Sequence, residues 1–264
     1  MEVVELATFE EFEAKALSLL EDRKKKRSET GMYVSPVLFR GQAQGSWDLR
    51  TTLERYSTRE YSPEDYYRVM LAARPAVESF TEKLWDLPSE YMRDERIPNA
   101  PQGYDFMVYL RHHGFPSPLL DWTRSLYVAA FFAFECPKAE ERNVAIYSLI
   151  EYYGLSKGGD ANEATIVGVG PYVRTDRRHF RQQSEYTFCR KVLNGKHLYC
   201  SHEEAFARND STQDVLTKFL VPKTERARVL EKLHMMNITA YSLFGSEESL
   251  CASLAYNEIE RGRL

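Results

Sequence analysis

Several patterns that would narrow the function of this chain are missing from its 264 residues. The four cysteines stand far apart and form no CxxC pair, so they give no sign of a zinc or redox motif. His112 and His113 are adjacent, but no third ligand lies at metal spacing, and we expect no metal site. No internal repeat or low-complexity linker is present, and the length fits one large domain or two small ones.

Long hydrophobic runs are also lacking. The longest, from Leu126 to Phe134, is much too short to span a bilayer. The residues after Met1 do not resemble a signal peptide, and neither end carries a targeting or lipidation signal. The sequence therefore predicts a cytoplasmic protein with reduced thiols and no membrane partner.

Positive charge is not massed on this chain, whose formal net charge is −4. The one basic run, at 23–27, ends a predicted helix, where a solvated helix terminus is the simplest interpretation. The overall charge therefore does not favour binding to DNA or RNA. Aromatic residues are abundant, with 17 Tyr and 14 Phe, which indicates a core of large rings or a cleft lined by them.

The order of the predicted elements indicates an α+β fold. Thr8 with Glu11, Ser62-Pro63 and Ser125 are typical helix starts. Strands and helices do not alternate as repeated βαβ units, and we expect the strands after about residue 140 to pack on the strand that ends at Arg40. The predicted helices are 9–24, 62–85, 104–113, 125–135, 224–233 and 246–259, the predicted strands are 37–39, 143–150, 185–192 and 215–221, and 88–103 is predicted to be a loop.

The first segment with chemical potential is Phe39-Arg40-Gly41-Gln42. An apolar strand ends in an arginine, and the glycine after it would let a ligand approach the backbone closely. A guanidinium at a strand end suits a phosphate or a carboxylate. The alternative for Arg40 is an ion pair with a nearby Asp or Glu.

The second segment runs from His113 to Ser125 and brings Asp121, Trp122, Thr123 and Ser125 to the start of an apolar helix. Hydroxyl groups at that place can cap the helix, or they can orient a neighbouring carboxylate or a ligand. We expect Arg40 and the residues 121–123 to meet at one pocket, although some 80 residues separate them in the chain.

The third segment, 178–188, contains Gln183 and Glu185 at the start of a predicted strand. A glutamate at a strand edge is usually a solvated surface group. On an extended chain, however, residues two apart face the same side. Gln183 and Glu185 are therefore expected to project together, one as an amide and one as a carboxylate.

The first two segments together resemble the FRG domain, a family named for its Phe-Arg-Gly motif. The stretch 39–42 and the run from His113 to Ala133 match its two signature blocks, and 182–186 resembles a third, weaker block. The resemblance spans the chain from about residue 37 to 220. It implies a single FRG-type domain over 1–264, with an inserted helical region at about 52–113. The family name indicates no reaction.

A more distant similarity is to ADP-ribosyltransferases of the Arg–Ser–Glu class. Their three motifs are an arginine at a strand end, a Ser/Thr-x-Ser strand before a helix, and a Gln/Glu-x-Glu. Arg40, Thr123-Arg124-Ser125 and Gln183-Ser184-Glu185 follow in the same order. Asp121 and Trp122 depart from the pattern, as does the long segment before Thr123. The similarity implies the mainly antiparallel sheet core of that fold, and NAD as substrate.

Each matching residue then has an implied role. Cleavage of the nicotinamide–ribose bond passes through an oxocarbenium-like state, as glycoside hydrolysis does. Arg40 would bind the pyrophosphate, and Glu185 would stabilise the developing positive charge. The remaining implied roles are Thr123 or Ser125 holding Glu185, the Gly41 backbone bonding the nicotinamide amide, Trp122 or Tyr186 stacking on its ring, and Gln183 facing the acceptor. That acceptor would be a protein or a nucleic acid, and the sequence does not identify it.

The resemblance leaves several functions open. The first is an NAD-dependent ADP-ribosyltransferase or NAD glycohydrolase, acting as an intracellular toxin or a phage-defence effector. The second is a non-catalytic module that binds a nucleotide, a peptide or a protein through Arg40 and the Trp122 cleft. The third is an unrelated enzyme, such as a nuclease that uses Asp121 and Glu185. Convergence of Arg40, Thr123, Ser125 and Glu185 on one cleft would favour the transferase, whereas a Glu185 that points away would favour the binding module.

Overall fold

The computed structural model describes residues 1–31, 34–92, 100–137, 141–152, 157–160 and 162–261, and its strands form one sheet. The strands are β1 (Glu2–Glu5), β2 (Val37–Gln42), β3 (Leu120–Thr123), β4 (Asn143–Tyr152), β5 (Thr165–Gly168), β6 (Ser184–Leu193), β7 (Lys196–Tyr199) and β8 (Gln213–Pro222). Their order is β1-β8-β4-β2-β3-β6-β5, and β7 pairs with β6. Only the β1–β8 pair is parallel among the strands of the described residues.

Most of the helices begin at a capping side chain, whereas α4 and α8 have none. Thr8, Ser62 and Ser125 each accept a hydrogen bond from a backbone N–H in the first turn of the helix that follows. Within the described residues, no helix is both long enough and apolar enough to cross a membrane. The helices are α1 (Phe9–Thr30), α2 (Thr52–Tyr56), α3 (Pro63–Thr81), α4 (Tyr104–His112), α5 (Leu126–Phe134), α6 (Arg177–Arg181), α7 (His202–Ala207), α8 (Arg226–Met235), α9 (Ala240–Phe244) and α10 (Glu247–Ala255), with a 3₁₀ turn at Lys223–Glu225 and a π turn at Tyr256–Glu260.

Three apolar clusters hold the helices on the sheet, and two of them share one face. One contains Phe39 and Phe219 and packs α1, α5, α8 and α9 on the β2–β4–β8 side. Another contains Phe106 and Tyr186 and packs α3 and α4 on the β6–β5 side. The third lies on the opposite face, where Phe206 of α7 covers it. The boundary between the first two clusters therefore falls at β3, between β2 and β6.

The predicted α+β class is confirmed, with a mainly antiparallel sheet. The pairing of β2 with β4 along Val37–Gln42 confirms that later strands pack on the Arg40 strand. Arg40 lies within β2 rather than at its end, because β4 pairs with this strand as far as Gln42. Strand β3 was not predicted, since the prolines at 116 and 118 precede it immediately. The predicted loop 88–103 falls partly outside the described residues, at 93–99.

Candidate functional site

The sheet divides between β2 and β3. These strands share a single register pair, Phe39 with Thr123, whereas β2 and β4 pair along their whole length. Beyond that pair, Nη1 of Arg40 donates a hydrogen bond to the backbone carbonyl of Asp121 at 2.7 Å. The Arg40 side chain therefore takes the place of backbone hydrogen bonds between β2 and β3. A cleft of about 350 Å³ opens between the two strands at this point.

One wall of this cleft is apolar and another is polar. One wall carries Phe132 of α5 and Phe244 of α9, whose rings meet edge to face with centroids 6.0 Å apart. The facing wall carries Arg111 and His112 from the end of α4, and Arg178 from α6. Trp47, 46% exposed, lines the cleft from the segment after β2.

The cleft is cationic, although the chain is acidic overall. Four arginines line it: Arg40, Arg55, Arg111 and Arg178. Among the described residues that line it, Asp121 is the one acidic side chain, and its Oδ2 accepts a hydrogen bond from Arg111 at 2.5 Å. Burial lowers the pKa of Arg40 to about 10, and the nearby charge of Asp121 opposes that shift. Arg40 therefore stays charged at neutral pH.

Several polar atoms of the cleft have no hydrogen-bond partner within the described part of the chain. They are Nε of Arg40, Oε1 of Gln42, Nε of Arg111, Nδ1 of His112, Oδ1 of Asp121 and Nε of Arg178. Buried polar atoms usually have a partner, so a group of unpaired atoms at one cleft points to a polar ligand or to solvent. Burial also lowers the pKa of His112 to about 4, which keeps this imidazole neutral at physiological pH.

The structure brings together four of the residues that the sequence singled out. Arg40, Gly41, Trp122 and Thr123 all line the cleft, together with Asp121, which confirms that Arg40 and 121–123 share a pocket. The alternative of an ion pair for Arg40 is not observed, since its described hydrogen bond goes to a carbonyl.

Two predicted ligand contacts lie elsewhere. The hydroxyl of Ser125 caps α5 by accepting from the N–H of Val128. Tyr186 is fully buried, with its hydroxyl bonded to His112 and His179, and its ring does not line the cleft. Both side chains therefore have structural partners that account for them.

Close packing of a helix, rather than the approach of a ligand, explains why position 41 is a glycine. A Cβ added there would lie 2.6 Å from the backbone nitrogen of Ala133 and closer still to the carbonyl oxygen of Ala129. Helix α5 thus packs directly on the backbone of β2. Gly41 lines the cleft, but the close neighbour that demands a glycine is this helix.

The expected pairing of Gln183 with Glu185 is wrong. Gln183 has a φ of 49°, in the left-handed region, and β6 begins only at Ser184. Alternation along an extended chain therefore does not apply to Gln183. Glu185 is also not a surface group, because its side chain is 5% exposed.

Glu185 pairs with Arg124 rather than with the predicted hydroxyls. Arg124 donates to Oε1 of Glu185, whereas the hydroxyl of Thr123 donates to the carbonyl of Gln182. Ser184 lines the cleft, so alternation places Glu185 on the opposite face of β6. Burial raises the pKa of Glu185, and the charge of Arg124 opposes this shift.

Sequence reasoning missed much of the cationic lining. Arg111 precedes His112-His113, a pair that was considered only as metal ligands, and Arg178 opens the third segment. Each of these two arginines therefore lies in or next to a sequence segment that was already marked as a candidate site. Arg55 and Trp47 had none, because they lie between β2 and α3, where no pattern marks a site.

Comparison with known proteins agrees with the first two sequence blocks. A family model described as FRG domain matches residues 35–142, a range that includes Arg40, Arg111 and Asp121. The match supports the FRG family for this part of the chain, and it ends before the third block at 182–186. Searches of curated proteins and of solved structures return no match.

Proposed function

We propose that this cleft binds a phosphate-bearing nucleotide, and that NAD, the substrate implied by the sequence resemblance, is the first candidate ligand. One observation carries the proposal, namely that four arginines from four separate chain segments line a single cleft. With a net charge of −4 for the whole chain, this local excess of positive charge is not a general property of the surface.

The arginines differ in how firmly they are held. Arg40 donates to the carbonyl of Asp121, and Arg178 donates to the carbonyl of His112 at 2.9 Å. Arg55 is exposed, and no ion partner for it lies among the described residues. Fixed guanidinium groups with remaining donors suit phosphate oxygens, which accept paired hydrogen bonds.

The aromatic side chains favour a nucleotide over a simple anion. The exposed indole of Trp47 and the ring pair of Phe132 with Phe244 give the cleft flat apolar surfaces beside its charges. Aromatic side chains of this kind can stack on a planar base. A cleft of about 350 Å³ is at the lower end of the usual range for small-molecule sites.

A second candidate is cleavage of the bound NAD, as in an ADP-ribosyltransferase or an NAD glycohydrolase. In that reaction the bond between ribose C1′ and the nicotinamide nitrogen breaks, its electron pair leaves with nicotinamide, and an acceptor oxygen or water bonds to C1′ and loses a proton. The Asp121 carboxylate in the cleft favours this candidate. The position of Glu185 outside the cleft favours binding alone, so the nucleotide-binding module comes first.

Calorimetric titration with NAD, ADP and inorganic pyrophosphate tests the binding proposal. We expect all three to bind, with affinities that fall as salt rises. Arg55→Gln should weaken pyrophosphate binding about three- to tenfold, because an exposed cleft cation then no longer contacts the anion. Arg174→Gln is the matched control, since Arg174 is exposed, carries the same charge and does not line the cleft. Equal losses in both variants, or no binding to the wild-type protein at millimolar ligand, would refute the proposal.

Incubation with labelled NAD then separates binding from cleavage. Released nicotinamide together with label on a macromolecule indicates transfer, and release without label indicates hydrolysis. Binding of NAD with neither product identifies a non-catalytic module.

A further inference from the structure

Asp121 is an unusual member of the cleft, because it is a carboxylate among four arginines. Its Oδ2 is held by Arg111 at 2.5 Å, while no donor among the described residues reaches its Oδ1. An ionised carboxylate can accept about four hydrogen bonds, so most of this capacity is unused. The side chain is 36% exposed, and since Oδ1 itself is covered, this exposed area lies on its other atoms.

The placement of this carboxylate next to the phosphate-binding groups restricts the ligand group that it can meet. Oδ2 of Asp121 is bonded to Arg111, one of the four cleft arginines, and its backbone carbonyl accepts the hydrogen bond from Arg40, so this residue lies among the cleft cations. A carboxylate repels phosphate oxygens and attracts donors. In a nucleotide, the donors nearest to the phosphates are the hydroxyls of the ribose to which they are attached.

We infer that Asp121 recognises a ribose hydroxyl of the bound nucleotide, with Arg111 holding the carboxylate in position. The inference rests on the proposed nucleotide binding and extends it to ribose-containing ligands. Oδ1 is covered in the described structure, and the broad χ2 torsion of Asp allows the carboxylate to turn toward a hydroxyl. Arg111 limits that turn because it stays bonded to Oδ2.

The inference predicts effects of opposite sign on two ligands. Removing the negative charge of Asp121 increases the positive potential in the cleft and frees Arg111, so inorganic pyrophosphate should bind equally well or a few-fold more tightly. NAD should instead bind about tenfold more weakly, because a hydrogen bond to a charged group is lost. A carboxylate that serves only as the counter-ion of Arg111 would give tighter binding of both ligands.

The experiment is calorimetric titration of Asp121→Asn with NAD, ADP-ribose and pyrophosphate, with Asp121→Ala as the second variant. Asp105→Asn is the matched control, because it makes the same charge change on α4 outside the cleft. Weaker NAD and ADP-ribose binding with unchanged or tighter pyrophosphate binding supports the inference. ADP-ribose lacks the nicotinamide amide, so a loss confined to NAD would assign Asp121 to that amide and overturn the assignment to ribose.

Other outcomes are equally decisive. Tighter binding of all three ligands, or a loss of all three, would overturn the inference, since the first indicates a counter-ion and the second a collapsed cleft. A wild-type protein that binds pyrophosphate but neither NAD nor ADP-ribose would refute nucleotide binding itself, whatever the variants do.

Discussion

Replacement of Gly41 by alanine tests whether helix α5 packs as closely on β2 as the structure indicates. The added methyl group would lie 2.6 Å from the backbone nitrogen of Ala133 and nearer to the carbonyl oxygen of Ala129, whereas ordinary van der Waals contact begins at 3.4 Å. The helix must therefore withdraw by at least about 0.8 Å, the difference between those two distances. Both atoms belong to the backbone, so no side-chain rotation relieves the contact.

The expected loss in the free energy of unfolding is about 3 kcal/mol, at the upper end for overpacking, because a whole buried helix must shift. For a chain of this size, that loss corresponds to a decrease of roughly 6 to 12 °C in the midpoint of thermal unfolding. Helix α5 carries seven buried residues between Leu126 and Phe134, so its displacement also disturbs the main apolar cluster.

Urea unfolding monitored by circular dichroism measures the loss, with Gly158→Ala as the control. A Cβ at Gly158 meets no heavy atom within 4 Å, so its free energy of unfolding should change by less than about 1 kcal/mol. Equal stabilities for Gly41→Ala and the wild-type protein would refute the close packing of α5 on β2. The glycine would then be available for the ligand approach that the sequence suggested.

Three further predictions follow from single contacts. Burial raises the pKa of the Glu185 carboxyl, so its ionised form does not stabilise the fold above that pKa. The free energy of unfolding of Glu185→Gln at pH 7 should therefore lie within about 1 kcal/mol of the wild-type value. A loss above about 3 kcal/mol in urea unfolding would contradict this. Ser125→Ala should lower the free energy of unfolding by about 1 kcal/mol through loss of the α5 cap, and an unchanged thermal midpoint would remove that role. Burial lowers the pKa of His112 to about 4 from the ordinary 6.5, so the unfolded chain binds a proton at this imidazole before the folded chain does. About 3 kcal/mol of the free energy of unfolding should therefore be lost as pH falls from about 6.5 to 4. His112→Gln should reduce this dependence of stability on pH, and an identical pH dependence in the variant would exclude His112 as its source.

The parts of the fold that local chemistry determines were predictable. Capping side chains at Thr8, Ser62 and Ser125 identified helix starts, and the apolar stretch after Asn143 identified β4, the strand that pairs with β2. The short strand β3 was not predictable from pattern, because its apolar–polar alternation spans only four residues and two prolines stand close before it. Its place in the sheet depends on pairing with β6, which is more than 60 residues away in the chain.

The candidate site was predictable only where its residues follow regular elements. Arg40 and Asp121-Trp122-Thr123 come from distinctive segments, and the structure brings them to one cleft. The expectation that Gln183 and Glu185 face the same side failed because the left-handed backbone at Gln183 interrupts the extended chain that it assumed. Arg55 and Arg178 reach the cleft through the packing of short helices, and no local pattern encodes that packing.

A crystal structure of the protein with bound NAD or ADP tests the central claim most directly. We expect the phosphate oxygens within hydrogen-bonding distance of Arg40 and of at least one of Arg55 and Arg178, with the base or nicotinamide ring against Trp47 or the Phe132–Phe244 pair. A nucleotide bound outside the cleft between β2 and β3, or one whose phosphates make no contact with Arg40, would contradict the account.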